Sequence, residues 1–281
     1  MSAQRLTSAR AKASGENVAP CARPAGPPAA GSSLRWSPAG DLFGASVEVH
    51  RCTVRVMTAI ERPLKLGEVL AETVRLYGER IWTSVGLGLF VALTLLLGAA
   101  TGHFAGFVAI FSLAFTAAWA AAARLVAGDR FGEAWVQVAL RAPVLLVLTF
   151  IVSVPFALSR IDPLLLLLAV FWLGLTGFAI PVAVLEREEG GWLRQLGFVL
   201  QRSVALARAE YLHAVGIAAA LVIVYVLIGQ ILLQALLGFA DNGRLASTVL
   251  VEIVLAPFFF IGLSVLYFEQ AARALSAGRR S

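Results

Sequence analysis

The chain has 281 residues, of which 59% are hydrophobic and 14% are charged, and its mean hydropathy is +0.83. A soluble domain is typically about 25% charged, so this composition excludes an ordinary soluble enzyme, a disordered chain and a disulfide scaffold. It predicts an all-α integral membrane protein that crosses the bilayer several times. The net charge of +6 does not indicate nucleic-acid binding, because the sequence contains no run of five like charges.

Residues 1–58 form the first segment, and they contain five prolines and no periodic apolar pattern. Such a segment buries too little apolar area to offset its ordering entropy, which predicts a disordered tail. The alternative is a mis-called start, because Met57 is the second of two methionines and stands just before the first patterned segment. Cys21 and Cys52, the two cysteines, lie in this tail, so neither a disulfide framework nor a thiolate metal site is predicted.

The membrane domain is predicted to cover residues 59–275, followed by a short cytoplasmic tail at 276–281. The 43 residues between Arg80 and Arg124 contain no charged side chain. As one helix they would be about 65 Å long, about twice the thickness of a bilayer core, so the chain must fold back within them. The predicted spans are 81–101, 104–126, 142–159, 163–185, 214–238 and 246–268, with tight turns at 160–163 and 241–244.

The arginines and lysines predict the orientation of these spans. Outside the tail, the loops on one side carry two basic residues, Arg160 and Arg244, and the other side carries fourteen. We therefore expect the inner, cytoplasmic membrane as the location, with both termini on the cytoplasmic side.

An amphipathic segment precedes every second span, at 66–80, 131–141 and 192–208. In the first, Leu66, Val69 and Tyr77 belong to an apolar stripe with helical spacing, and the third repeats this pattern from Leu193 to Val204. We expect cytoplasmic helices along the inner interface or against the bundle. The starts lie about 65 and 62 residues apart, which indicates three parallel repeats of one helix plus a hairpin; a six-span protein with short outer loops gives the same pattern without a repeat.

The candidate site is intramembrane and polar. Glu252 is the one acid inside a predicted span, and such a residue is a functional-site hypothesis by default. Gln230, at a similar depth, is expected to share a hydrogen bond with it, and Tyr225 and Gln234 add polar groups to the same span. Pro257 is expected to kink the last span. The hypothesis is a polar or ion-sensitive pocket; the alternative is a glutamate that joins two helices.

Other features of the sequence have structural alternatives. Pro155 and Pro181 can break their spans, as in transporters, but proline is common in membrane helices. Cytoplasmic Arg187, Arg194, Arg202 and Arg208 can contact anionic lipid headgroups, although topology alone also explains them.

Four stretches of the sequence resemble a known family. They are 62–77, 181–186, 201–208 and 257–273, and together they are similar to the bacterial glycerophosphoryl diester phosphodiesterase membrane-domain family. The resemblance implies a free-standing six-span membrane domain without the catalytic domain to which some members are fused. The end of the pattern departs from the family, which is expected to have Asp where this chain has Glu269 and an arginine nearer than Arg273.

No catalytic, cofactor-binding or metal-binding residue is predicted. The three histidines lie far apart, and no nucleophile motif or phosphate loop occurs in the sequence. The leading hypothesis is a non-catalytic membrane protein that scaffolds or regulates lipid processes, with the lipid bilayer as its partner. The alternative is a small transporter or channel that uses Glu252, Gln230 and Pro257.

Overall fold

The computed structural model describes residues 65–158, 164–186, 191–237 and 243–278. Every regular element in these ranges is an α-helix. The ten helices of the described residues are α1 (Leu66–Glu79), α2 (Ile81–Ala100), α3 (Phe104–Val126), α4 (Phe131–Leu140), α5 (Ala142–Leu158), α6 (Leu165–Thr176), α7 (Ala179–Leu185), α8 (Trp192–Ala209), α9 (Tyr211–Leu237) and α10 (Gly243–Gly278).

Five helical segments are long and apolar enough to cross a membrane: α2, α3, α6 with α7, α9 and α10. A sixth is added if α4 and α5, which are bent by 83° at their junction, form one broken span. The prediction of an all-helical chain with several apolar spans is therefore confirmed. The predicted tail at 1–58, the turn at 160–163, Arg187 and Asp241 lie outside the described residues.

The fourth predicted span differs from the structure, because it is divided between α6 and α7 at Gly177 and Phe178. Pro181 is the third residue of α7, a first-turn position at which a backbone N–H has no helical acceptor to lose. The proline therefore follows the break by one turn. Pro155, in contrast, lies inside α5, which continues to Leu158.

The last helix is longer than predicted. α10 has 36 residues and does not end at 268 but runs to Gly278. At 1.5 Å per residue it is about 54 Å long, which exceeds a core of about 30 Å. Glu269 and Arg273 therefore lie in the same helix, beyond a stretch long enough to cross the bilayer core.

α10 is also the helix around which the others pack, since α1, α2, α3, α8 and α9 all contact it. α3 contains a run of alanines, and Ala120, Ala121, Ala122 and Ala123 are all fully buried within the bundle. Small side chains allow helix backbones to approach closely, which is how membrane helices gain packing energy where lipid supplies no hydrophobic drive.

The closest approach of this kind joins α2 to α10. A Cβ atom added at Gly88 would lie 2.2 Å from the carbonyl oxygen of Ile253. Ile253 is four residues before Pro257, which has no N–H to donate to that carbonyl. The proline thus leaves a carbonyl of α10 exposed within the bundle, and the glycine lets α2 pack directly against it.

One end of the bundle collects charged side chains. Arg80, just before α2, donates to the carbonyl of Leu125 near the end of α3, and Arg124 donates to the carbonyl of Val184 in α7 at 3.3 Å. Arg273 in α10 pairs with Glu210, just before α9. The starts of α2 and α9 and the ends of α3, α7 and α10 therefore share this end, called the charged end below.

Candidate functional site

Of the three residues predicted to lie near Glu252, one contacts it directly. The hydroxyl of Tyr225 in α9 donates to Oε1 of Glu252 in α10 at 2.8 Å. Glu252 is 5% exposed, and its Oε2 atom has no hydrogen-bond partner among the described residues. The Tyr225 ring also packs against Phe259, with ring centroids 5.7 Å apart.

The two glutamines do not join this pair. Gln230 and Gln234 are both exposed on α9. The expected hydrogen bond between Gln230 and Glu252 is absent from the described side chains, so that prediction was wrong. Helical geometry is the reason: Tyr225 and Gln230 are five residues apart, so they point about 140° apart around α9.

Glu252 is buried in this structure. Among the depressions of the described surface, one lies between α1, α2 and α3 beside Arg80, and another lies on α8 beside Arg194 and Phe198. Glu252 and Tyr225 line neither of them. The arrangement therefore holds two helices together through one strong hydrogen bond inside an apolar bundle.

A second polar cluster lies at the charged end and was not predicted from the sequence. Its centre is Glu186, the residue that ends α7. Tyr267 in α10 donates to Oε1 of Glu186 at 2.8 Å, and Nε of Arg202 in α8 lies 3.1 Å from Oε2. The side chain of Glu186 is 11% exposed. One carboxylate thus connects α7, α8 and α10.

A second buried carboxylate belongs to Glu269 in α10, which is fully buried. It pairs with Arg273 one turn later and accepts a hydrogen bond from Nε2 of Gln270 at 3.0 Å. Nε2 of His213 in α9 lies 3.7 Å from Oε1 of Glu269 and 3.1 Å from a guanidinium nitrogen of Arg273. Oε1 of Gln270 has no partner among the described residues.

These clusters do not resemble a metal centre. Within the described ranges, no group of three or more histidine, cysteine or acidic side chains is placed to hold a metal ion. The carboxylates instead face guanidinium groups, hydroxyls and amides on neighbouring helices. Burying such groups is stabilising only where each is paired, which this arrangement provides for Glu186 and Glu269.

The packed face of α8 only partly matches the predicted stripe at Leu193, Leu196, Leu200 and Val204. Leu196 and Leu200 are partly buried against the core, while the most buried side chains are those of Gln195, Val199, Ser203 and Leu206. Gln195 donates to the carbonyl of Glu186 at 3.3 Å, and Ser203 donates to the carbonyl of Leu175 at 2.9 Å. Polar contacts with the bundle therefore select the packed face, while Leu193 is 65% exposed.

One signal for the charged end was present in the sequence. Glu269 and Arg273 are four residues apart, a spacing that pairs charges on one helix face. The last span was predicted to end at 268, so this pair was not predicted to lie within a helix. Tyr267, one of the partners of Glu186, is in contrast 81 residues away from it, and no local pattern predicts this contact.

The described residues define an all-helical protein with five or six helices able to span a membrane. Comparison with family models, with curated proteins and with solved structures finds no match for the chain. The resemblance to the glycerophosphoryl diester phosphodiesterase membrane domains therefore stays a prediction.

Proposed function

We propose that the protein is a non-catalytic, six-span integral membrane protein that scaffolds or regulates a lipid process in the inner membrane. The observation that supports this function is the pairing of its buried polar groups between helices. Glu186 is held by Arg202 and Tyr267, and Glu252 is held by Tyr225. A site that converts a substrate needs groups free to act on it, whereas these groups hold the bundle together.

The proposed architecture is three helical hairpins, α2 with α3, α5 with α6 and α7, and α9 with α10. Each is preceded by an amphipathic cytoplasmic helix, α1, α4 or α8. The contacts at the charged end support this proposal, because the start and the end of the first and last hairpins meet there. The charged end is then the cytoplasmic end, in agreement with the distribution of arginine and lysine.

The proposed family relationship gains support from where the matching stretches lie. The stretch at 181–186 ends in Glu186, the stretch at 201–208 contains Arg202, and the stretch at 257–273 contains Tyr267. These three side chains form one cluster. The stretch at 62–77 contributes Tyr77, whose ring lies 6.5 Å from that of Phe258.

The proposed partner is the lipid bilayer, with anionic headgroups at α8. This helix exposes Trp192 and Leu193 at its start and Arg208 near its end. Exposed aromatic, apolar and arginine side chains on one helix are typical of a helix that lies at the headgroup level. Arg202 faces Glu186, so Arg208 is the stronger candidate for a headgroup contact.

The alternative function is a small transporter or channel. It is favoured by Oε2 of Glu252, a buried acceptor without a described partner. A cation or proton that crosses the bundle would meet this oxygen near Pro257 and the exposed carbonyl of Ile253.

A flux measurement separates the two functions. The full chain is reconstituted into liposomes of phosphatidylethanolamine and phosphatidylglycerol that contain a pH-sensitive dye, and a pH or sodium gradient is imposed. A scaffold gives the flux of protein-free liposomes for the wild type and for Glu252→Gln. Flux that the wild type supports and Glu252→Gln abolishes contradicts the scaffold and establishes the alternative.

Lipid preference is tested on the same preparation. Purification in native-lipid nanodiscs, followed by mass spectrometry, should show anionic lipids enriched over the bulk membrane. Arg208→Gln should reduce this enrichment, while Arg75→Gln on α1 should not. Equal lipid content in all three samples would contradict the proposed headgroup contact.

The proposed orientation is tested with single cysteines in a chain from which Cys21 and Cys52 have been replaced by serine. His103→Cys lies between α2 and α3, and Gly128→Cys lies between α3 and α4. An impermeant maleimide applied to intact spheroplasts should label the first and spare the second. The reverse pattern would contradict a cytoplasmic charged end.

A further inference from the structure

The outward face of α9 differs from the outward faces of the other spans. In the described residues of α2, α3, α5, α6 and α7, every exposed side chain is aliphatic or aromatic. In α9 the exposed residues include two glutamines, Gln230 and Gln234, one helical turn apart.

Neither glutamine has a side-chain hydrogen bond within the part of the chain that the structure describes, although Tyr225 on the opposite face does. Gln230 lies about 10 Å from the middle of the span at 211–236, inside a hydrocarbon layer whose half-thickness is about 15 Å. Acyl chains offer no donor or acceptor, so an amide that faces them is unfavourable unless another helix supplies a partner.

The glutamines continue a regular seam along α9. Gly216, Ala220, Ile223, Leu227, Gln230 and Gln234 follow one another at alternating steps of four and three residues, the spacing of a helix–helix contact. Ile223 is 61% exposed and Leu227 is 57% exposed. A Cβ atom added at Gly216 would meet no atom within 4 Å. Within the described structure, no other helix covers this seam between Gly216 and Gln234.

We propose that this seam, called the α9 seam, binds the α9 seam of a second copy of the chain to form a two-fold symmetric dimer in the membrane. An amide carries both donors and an acceptor, so the same group on a symmetry mate is its complement. The seam carries no charge, so it calls for no oppositely charged partner. Gly216 and Ala220 form a small-xxx-small pair that permits close approach of two helices.

This inference rests on the proposed membrane insertion. The first experiment therefore tests membrane insertion separately from dimerisation. Membranes that contain the full chain are washed with alkaline carbonate. Release of the chain would overturn the membrane assignment itself. Retention of a chain that then proves monomeric would overturn the dimer alone.

Dimerisation is measured by energy transfer between donor-labelled and acceptor-labelled full-length chains in liposomes over a range of protein-to-lipid ratios. The wild type should show a saturable dimer. Gln230→Leu combined with Gln234→Leu should raise the dissociation constant about tenfold, the ratio that about 1.4 kcal/mol produces. Ile228→Leu, which changes an exposed residue off the seam, should have no effect. A monomeric wild type, or a double variant that dimerises like the wild type, would overturn the proposal.

Cross-linking tests the geometry. With Cys21 and Cys52 replaced by serine, Leu227→Cys places a thiol on the seam and Ile228→Cys places one beside it. In a two-fold dimer a seam residue meets its own symmetry mate, so mild oxidation should convert the first variant to a covalent dimer and leave the second monomeric. Equal cross-linking of both, or a product with the mass of a different partner, would overturn the α9 seam as a self-contact.

Discussion

The most apolar stretches of the last two helices, α9 and α10, have nearly the same mean hydropathy but different environments. Of the most apolar stretch of each, 28% is buried within the protein for α9 and 67% for α10. Hydropathy measures the preference for leaving water, and lipid satisfies this preference as well as a protein interior does. What distinguishes α10 is a set of specific contacts with helices other than α9: Ile253 against Gly88 and Tyr267 with Glu186.

The largest effect should come from filling the closest contact of α10. In Gly88→Ala the new Cβ atom would lie 2.2 Å from the carbonyl oxygen of Ile253, so α2 and α10 must separate. We expect a loss of about 3 kcal/mol in the free energy of unfolding. Thermal unfolding in detergent measures it, and Gly197→Ala on α8, where an added Cβ atom would meet no atom within 4 Å, is the matched control. Similar stability of both variants would refute a tight α2–α10 contact.

The next effect should come from the carboxylate that joins the charged end of α10 to α7 and α8. Glu186→Ala leaves the hydroxyl of Tyr267 and the guanidinium of Arg202 without their acceptor. We expect a loss of about 2 kcal/mol because one buried partner of a charge pair has been removed.

Glu186→Gln is the informative control for that experiment. It retains an acceptor for Tyr267, so it should recover part of the loss when unfolding is measured in the same detergent. If alanine and glutamine at this position are both neutral, the cluster makes no contribution to holding α10 in place.

A smaller effect is expected from the bond that links α9 to α10. Tyr225→Phe removes the donor to Glu252 and should cost about 1 kcal/mol, in the range measured for hydrogen bonds between membrane helices. A double-mutant cycle with Glu252→Leu, which removes the acceptor, isolates this interaction. Additive losses in the cycle would mean that the two side chains are not coupled.

The smallest effect is expected for charges outside the bundle. On α1, Arg75 pairs with Glu72 and Glu79, and all three are at least partly exposed. The hydrogen bonds that Arg75 donates to Glu72 are the main reason that the pKa of Arg75 is raised above its ordinary value, so the residue stays charged at any practical pH. Arg75→Ala should cost less than about 0.5 kcal/mol, and added salt should reduce even that difference. A loss comparable to that of Glu186→Ala would remove the distinction between surface and bundle charges.

The helices that precede the spans could be predicted accurately because the residue pattern that defines them is local. The segments before the spans were predicted at 66–80, 131–141 and 192–208 and are observed as α1, α4 and α8 within two residues at each end. Their boundaries follow charged residues and glycines, which act locally.

The candidate site was predicted in part. An acid inside an apolar span is recognisable without a structure, and Glu252 is buried as expected. Which of Tyr225, Gln230 and Gln234 meets it depends on how α9 is rotated about its axis. That rotation is set by packing, for example by Gly262 of α10 against Leu221, and no pattern within α9 itself encodes it.

The sequence by itself determined that this chain forms apolar helices of membrane-spanning length, because each such helix satisfies its own backbone hydrogen bonds and requires only local information. The tertiary structure alone decided that α10 is central, that Glu186 meets residues on two other helices, and that the glutamines of α9 face outward. These outcomes depend on side chains distant in sequence. In an environment as apolar as the protein interior, hydropathy carries no information about which face is packed.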